Sequence, residues 1–377
     1  MKRFPARVFA LALLSLLMSK TLRATEWSAW APANHAGLRW EGRVRFDTDG
    51  TAIFDWTQVR VHAQFTGPQI AIYAKTGDNY LDLVVDGKLR AVLGRKPRVD
   101  DAPLLKYWLE ARFGGGKVFV LSGLGDGKHE LLLSKRTGPN IGPVRLQGLR
   151  LAAGQRLLVA PKAYKRRIEF VGDSLTNAYG NESLKMECSE LPPYENSSLG
   201  WARIVTDALG AESQLLAYSG YGVVRNYGDK NPISKDPFPF YYPRTVLAEK
   251  SGEWDRSQFK PQVAVCFLGT NDYSTEPTPP AEAFVAAYRA FLAQVREGRG
   301  QLPILCLYPS ERQILVKQVQ EVVAQEQANG LPTQILGLAG PKDGELGCDW
   351  HPQVVVHARW AKKIEPKIRE MMKWSSE

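Results

Sequence analysis

The sequence predicts a two-domain protein: an antiparallel β-sandwich or barrel followed by an α/β domain built on a mostly parallel sheet. Three observations predict it. A chain of 377 residues has the length of two ordinary domains. Between about residues 25 and 160, short alternating apolar runs follow one another, separated by Gly, Asp and Asn. From about residue 165 to the end, apolar runs alternate instead with helical segments, the pattern of a sheet covered on both faces.

The first 24 residues stand apart. "MKRFPAR" is basic, Val8 to Met18 is an apolar run of 11 residues, and "SKTLRA" leads to Ala24. A bilayer span needs about 20 apolar residues, so residues 1–24 are expected to be a signal peptide and the mature protein to be secreted or periplasmic. No later segment is long and apolar enough to suggest a membrane span.

The runs "GRVRFDTDGTAIFDW", "QVRVHAQF", "QIAIYAKT", "NYLDLVVDGK", "KVFVLSGL", "HELLLSKRT" and "VRLQGLRL" read as strands. The Asp-Gly pairs in "DTDGT" and "VVDGKLR" suit hairpin turns. The basic cluster "KAYKRR", Lys162 to Arg167, reads as a solvated linker.

In the second domain, expected over 165–377, "RIEFVG" reads as a strand and "LGWARIVTDALG" as a helix ending at Gly210. "SQLLAYSG" and "PQVAVCFLGTND" are strands. "PPAEAFVAAYRAFLAQVREG" is a helix with prolines at its start and Gly298 at its end. "LPILCLYPS", a further helix and "TQILGLAG" follow, and "HPQVVVHARWAKKIEPKIREMM" closes the chain as a helix. The stretches 179–199 and 221–244 are long and irregular, which in compact domains often marks function.

Composition excludes some classes. The net charge is +10, but it is spread along the chain with no basic run interleaved with aromatics, so nucleic-acid binding is not indicated. Attraction to acidic polymers or membrane surfaces stays open. The four cysteines, Cys188, Cys266, Cys306 and Cys348, show no zinc-type spacing. Cys266 and Cys306 lie in apolar runs and read as core thiols. Cys188 and Cys348 lie in loops and could be bridged, although four cysteines allow three pairings.

Three strand ends and the segment before the last helix carry chemistry. In "RRIEFVGDSLTNAYGN" a short apolar strand stops at Gly172, and Asp173 and Ser174 follow. Ser174 is either a helix cap or a nucleophile at the carboxyl end of a parallel strand, where ligands of open α/β sheets collect. "AYSGYG" places Gly220 and Gly222 after a second strand, where glycine leaves a backbone N–H open. "FLGTNDYS" places Asn271 and Asp272 after a third; an Asx-turn would also explain Asn271. "GCDWHPQ" places His351 before the last helix, one of five histidines.

Taken together and in this order, "GDSLT", Gly220, "GTND" and "DWHP" resemble the SGNH (GDSL) hydrolases. The resemblance implies a three-layer α/β hydrolase domain with Ser174 as nucleophile and His351 as base. It also implies an oxyanion hole of the Ser174 and Gly220 N–H groups and the Asn271 amide. An acyl transfer of this kind needs those three functions. In the common pattern the acid stands three residues before the histidine, a position held here by Cys348. Asp349 stands two before, so either Asp349 orients His351 or a backbone carbonyl does so in a Ser-His dyad. Asp173 is expected to shape the turn.

The whole chain, with "PFPFYYPRTV", "YLDLVVDG", "GDGKHELLLSKRT" and "GCDWHP", resembles carbohydrate esterase family 2. This implies an N-terminal jelly roll over 25–160 and removal of O-acetyl groups from plant polysaccharides such as xylan or glucomannan. It implies no metal or organic cofactor. No nucleic-acid partner, no membrane partner after signal removal and a monomer are expected as well. Trp350 and Tyr273, beside the catalytic positions, are candidates for stacking on sugar; core packing would explain either. Other readings are an SGNH lipase or thioesterase acting on acyl lipids, a non-catalytic carbohydrate-binding protein, and a metallophosphoesterase, which would need several histidines and carboxylates around metal.

Overall fold

The computed structural model describes residues 27–94, 108–113, 116–188, 191–250 and 252–375. The expected signal peptide lies outside them. Among the described residues the N-terminal part forms β1 (Ala31–Pro32), β2 (Leu38–Glu41), β3 (Arg45–Phe46), β4 (Ala52–Phe54), β5 (Arg60–Thr66), β6 (Ile70–Lys75), β7 (Leu81–Val85), β8 (Lys88–Leu93), β9 (Trp108–Phe113), β10 (Gly116–Leu121), β11 (Lys128–Lys135) and β12 (Val144–Leu151). They make two sheets, one in the order β3-β4-β12-β6-β10-β9 with β1 also on β12, the other β2-β5-β11-β7-β8. Every pairing is antiparallel.

The period-2 pattern builds this packing. In β5, Val61, Ala63 and Phe65 are buried and the residues between them are not. They share one core with Ile70, Ile72, Phe119 and Leu149 of the other sheet. The Asp86-Gly87 turn between β7 and β8 has φ of 53° and 72°, with Val85 paired to Lys88, which is a two-residue hairpin of the type that demands positive φ twice. Strands β1, β2 and β9 were not among the runs legible in the sequence.

The C-terminal part contains β13 (Arg166–Gly172), β14 (Ala211–Ala217), β15 (Val263–Phe267), β16 (Ile304–Pro309) and β17 (Thr333–Leu338), all parallel, in the order β14-β13-β15-β16-β17. Its helices are α1 (Ser174–Asn177), α2 (Trp201–Ala208), α3 (Phe238–Tyr241), α4 (Ala281–Arg296), α5 (Gln313–Ala328) and α6 (Val354–Met372). On one face α2 and α6 bury Trp201, Val205, Trp360 and Ile364 against Phe170, Val265 and Leu307. On the other, α4 and α5 bury Phe291, Leu292, Val319 and Val322 against Val171, Cys266 and Cys306. The chain leaves β13 toward β14 on one side and returns to β15 on the other. That reversal opens a crevice at the carboxyl end of β13.

The two parts meet across a polar, buried surface. Glu41 is buried and accepts from Arg203 at 3.3 Å and from the Ser213 N–H at 2.9 Å. Asp55 accepts from the N–H groups of Leu247 and Ala248, each at 2.8 Å. Lys135 is fully buried and donates to the carbonyls of Thr137 and Gly138 at 2.6 and 2.9 Å, while Glu195 accepts from the Gly138 N–H at 2.9 Å. Burial pulls the Lys135 ammonium below its usual range and pushes the Glu195 carboxyl up, each partly offset by the charge of the other. Satisfied networks of this kind fix one arrangement, because an unpaired member would be costly.

Candidate active site

Ser174 is the first residue of α1, directly after β13 and Asp173. The turn is tight. A Cβ on Gly172 would lie 2.1 Å from Thr176 Oγ1 and 3.0 Å from the Phe267 carbonyl, so only glycine fits. Asp173 caps α1 by accepting from the Leu175 N–H at 3.0 Å. It is fully buried; burial pushes its carboxyl up to about 7, the Leu175 bond opposes this, and the nearby Asp272 charge adds to it. Asp173 therefore shapes the turn, and Ser174 is left 7% exposed at the crevice.

His351 Nε2 lies 2.8 Å from Ser174 Oγ. Its Nδ1 lies 2.9 Å from the Asp349 carbonyl and 3.1 Å from the Cys348 carbonyl. A carbonyl oxygen can only accept, so Nδ1 carries the proton and Nε2 presents its lone pair to the serine hydroxyl. Burial lowers the His351 pKa below the usual imidazole value; the two carbonyl bonds and the Asp349 charge work against that shift.

The Asp349 carboxylate is not part of this arrangement. Its Oδ2 accepts from the Tyr179 hydroxyl at 2.7 Å, and the Tyr179 ring lies on His351 with centroids 4.4 Å apart. Of the two possibilities the sequence left open, the backbone carbonyl is the one that faces the histidine. Asp349 and Trp350 both adopt left-handed backbone, with φ of 49° and 59°. This tight coil turns the Asp349 carbonyl toward the imidazole and its side chain outward. Cys348 is bridged to Cys188, with Cα atoms 5.4 Å apart, and Cys266 and Cys306 are free and buried. The bridge ties the histidine segment to the irregular 179–199 stretch. Gly180 makes room for it, since a Cβ there would sit 2.3 Å from Cys348 Cβ.

Gly220 follows β14 with φ of 87°. Among the described residues neither its N–H nor that of Ser174 donates to a protein acceptor. Asn271 follows β15, and its Nδ2 donates to Asp173 Oδ2 at 3.2 Å and to the Tyr221 carbonyl at 3.0 Å. One amide thus joins the residue before Ser174 to the residue after Gly220. Asp272 accepts from the N–H groups of Val223, Val224 and Arg225 at 3.0, 2.7 and 2.9 Å and so holds the loop that Gly222 opens. A Cβ on Gly222 would meet the Arg225 carbonyl at 2.1 Å and Asp272 Oδ2 at 2.4 Å.

The two aromatic candidates separate. Trp350 is 66% exposed beside His351. Tyr273 packs inward: its ring meets Phe284 at 5.2 Å and its buried hydroxyl has no hydrogen-bond partner among the described residues, so core packing is its role here. A different aromatic group forms where the segment after β14 meets α3. Tyr218 and Tyr221 stack at 3.7 Å with rings 11° apart, and Tyr241 stands edge-on to both at 5.3 and 5.1 Å. Arg244 lies 4.5 Å over Tyr241 and 5.0 Å over Phe240, which is 53% exposed. Both segments, "AYSGYG" and "PFPFYYPRTV", stand out in the sequence, but nothing local says that they meet. Among the described residues no three His, Cys, Asp or Glu side chains are grouped to hold a metal ion.

Both parts of the chain are similar to known proteins. Residues 40–161 match the model of the carbohydrate esterase 2 N-terminal domain, and residues 170–362 match the GDSL-like lipase/acylhydrolase family. The cellulase/esterase CelE of Acetivibrio thermocellus is 32% identical over 351 residues, 90% of this chain; the match spans only 40% of that longer protein. An acetylxylan esterase / glucomannan deacetylase of Cellvibrio japonicus is 29% identical over 360 residues, 90% of this chain and 91% of that protein. A family two carbohydrate esterase from Clostridium thermocellum, solved in complex with cellohexaose, superposes with a TM-score of 0.78 at 30% identity, over 90% of this chain and all of that one. Both domains match in the same order and nearly end to end, and the chain belongs to family 2 of the carbohydrate esterases.

Proposed function

We propose that the protein removes O-acetyl groups from plant polysaccharides or oligosaccharides, acetylated xylan and glucomannan among them. The observation that carries this reading is the 2.8 Å contact between Ser174 Oγ and His351 Nε2, with His351 Nδ1 on backbone carbonyls. Ser174 Oγ attacks the acetyl carbonyl carbon while Nε2 takes its proton. The oxyanion is held by the N–H groups of Ser174 and Gly220 and by the Asn271 amide. Asn271 Nδ2 already donates twice in the free protein, so the oxyanion shares one of those two hydrogens. The tetrahedral species collapses, the sugar oxygen leaves with the proton from Nε2, and water repeats the sequence on the acetyl-serine.

The relatives support the substrate class: the Cellvibrio protein is an acetylxylan esterase / glucomannan deacetylase, and the Clostridium enzyme was crystallised with cellohexaose. The half-buried Tyr218–Tyr221–Tyr241 group and the exposed Trp350 are the aromatic groups proposed to contact sugar. Residues 1–24 are proposed to direct secretion or periplasmic delivery, as polymeric substrates require.

Acetate release from acetylated xylan and glucomannan tests the reading, with Ser174→Ala as reference. Release by the parent protein and none by the variant is the expected result. A folded parent that cleaves a small aryl ester but frees no acetate from either polymer would overturn the polysaccharide assignment in favour of an acyl-lipid or thioester substrate.

A further inference from the structure

Ser219 and Gly220 share one peptide unit, so the Ser219 carbonyl and the Gly220 N–H are opposite ends of a single conjugated plane. That plane is gripped by the N-terminal domain. Asn140, in the turn Pro139–Ile141 after β11, donates through Nδ2 to the Ser219 carbonyl at 3.3 Å. Ser219 Oγ accepts from Asn177 Nδ2 at 2.9 Å, and Asn177 Oδ1 in turn accepts from the Thr57 hydroxyl, between β4 and β5. Thr57, Asn177 and Ser219 are buried. The turn that presents Asn140 is anchored just upstream, where Lys135 holds the Thr137 and Gly138 carbonyls and Glu195 holds the Gly138 N–H.

We propose that the N-terminal domain forms part of the oxyanion machinery, with Asn140 and Thr57 as positioning residues for the Gly220 N–H. The inference rests on Gly220 being an oxyanion donor, as read above. Gly220 has φ of 87° and open space where a side chain would stand, and its peptide is the middle one of a turn closed by the Tyr221 N–H on the Tyr218 carbonyl at 3.2 Å. The anchors on Ser219 fix the direction of that turn from outside it. A hydrogen bond to the carbonyl also draws density onto oxygen and makes the N–H at the other end of the amide a stronger donor, as in any polarised chain of hydrogen bonds. The benefit falls on the charge that develops during reaction and therefore on kcat rather than on KM.

Hydrolysis of an aryl acetate and of its O-aryl thionoacetate analogue by the full protein tests this, with melting temperature as a folding control. Asn140→Ala is expected to lower kcat about five-fold, the size of one ordinary net hydrogen bond, with KM and melting temperature unchanged. Asn140→Asp, of the same shape but turning oxygen toward oxygen, falls further, and Thr57→Val falls in the same direction as Asn140→Ala. The preference for oxygen over sulfur ester narrows in all three, because sulfur accepts hydrogen bonds poorly and the preference measures donor strength; a merely structural defect would not move it. Asn271→Ala is the reference for the hole itself, at about 10²–10³-fold. If Asn140→Ala and Thr57→Val keep both kcat and the preference while Asn271→Ala loses rate, the inference fails and the oxyanion hole stands. If Asn271→Ala also keeps its rate, the reading of the hole fails. A raised KM with unchanged kcat in Asn140→Ala makes Asn140 a substrate contact and overturns its positioning role.

Discussion

The Asp349 carbonyl lies 2.9 Å from His351 Nδ1, in the place a carboxylate holds in a Ser-His-Asp triad, while the Asp349 carboxylate points to Tyr179. A neutral carbonyl fixes the tautomer and the ring plane but gives the imidazolium less charge stabilisation. Asp349→Asn keeps the carbonyl and tolerates left-handed backbone. Its kcat/KM is expected to stay within about five-fold of the parent, against the roughly 10⁴-fold fall in kcat when a triad aspartate becomes asparagine. Steady-state kinetics on an aryl acetate decides it: a loss of thousands-fold would return the carboxylate to the mechanism.

The pH profile follows from the same geometry. His351 must be neutral at Nε2 to accept the serine proton, so kcat/KM rises with pH through the His351 pKa and is flat above it. Burial sets that pKa below the usual value of about 6.5. The acid limb should therefore bend below pH 6.5, leaving the enzyme active in mildly acidic solution. A midpoint above 7 would mean that a charge partner outweighs burial.

The Cys188–Cys348 bridge joins residues 160 apart and holds one of the two carbonyls that His351 uses. Cys188→Ala is expected to lower stability in denaturant by about 2–4 kcal/mol and to reduce kcat as the histidine segment loosens. Activity assays with and without a thiol reductant give the same comparison in the parent, where Cys266 and Cys306 are buried. Unchanged kcat in both would show that the Tyr179 contacts and the left-handed coil hold His351 unaided.

Tyr241 stands edge-on to the stacked Tyr218 and Tyr221 rings and carries Arg244 on its face. Tyr241→Ala is expected to raise KM for an acetylated polysaccharide about 3- to 10-fold, from one lost aromatic contact, with KM for aryl acetate unchanged. Equal effects on both substrates would place the tyrosine in the scaffold rather than against sugar.

Much of this molecule is written in short range. Alternation in "QVRVHAQF" decides which face of β5 is buried, Asp86-Gly87 decides a hairpin, and Pro279-Pro280 with Gly298 bracket α4. The two-residue strands β1 and β3 carry too few residues for a period, and β1 is defined by its partner β12 rather than by itself. Tyr273 shows the limit from the other direction: its neighbour Asn271 faces Asp173, yet its own ring turns into the core against Phe284.

The sequence by itself determined the two-domain fold class, most of the strands and helices in their order, the strand ends at which Ser174, Gly220 and Asn271 stand, and the place of His351 before the last helix, because periodicity, capping and glycine turns act over a few residues. Only the tertiary structure decided which oxygen holds His351, which cysteines pair, that Tyr218, Tyr221 and Tyr241 meet, and that Asn140 and Thr57 reach the peptide of Gly220. Those outcomes depend on the direction of individual carbonyls and side chains, set by left-handed backbone at Asp349 and Trp350 and by the packing of one domain on the other, and no local pattern records a direction.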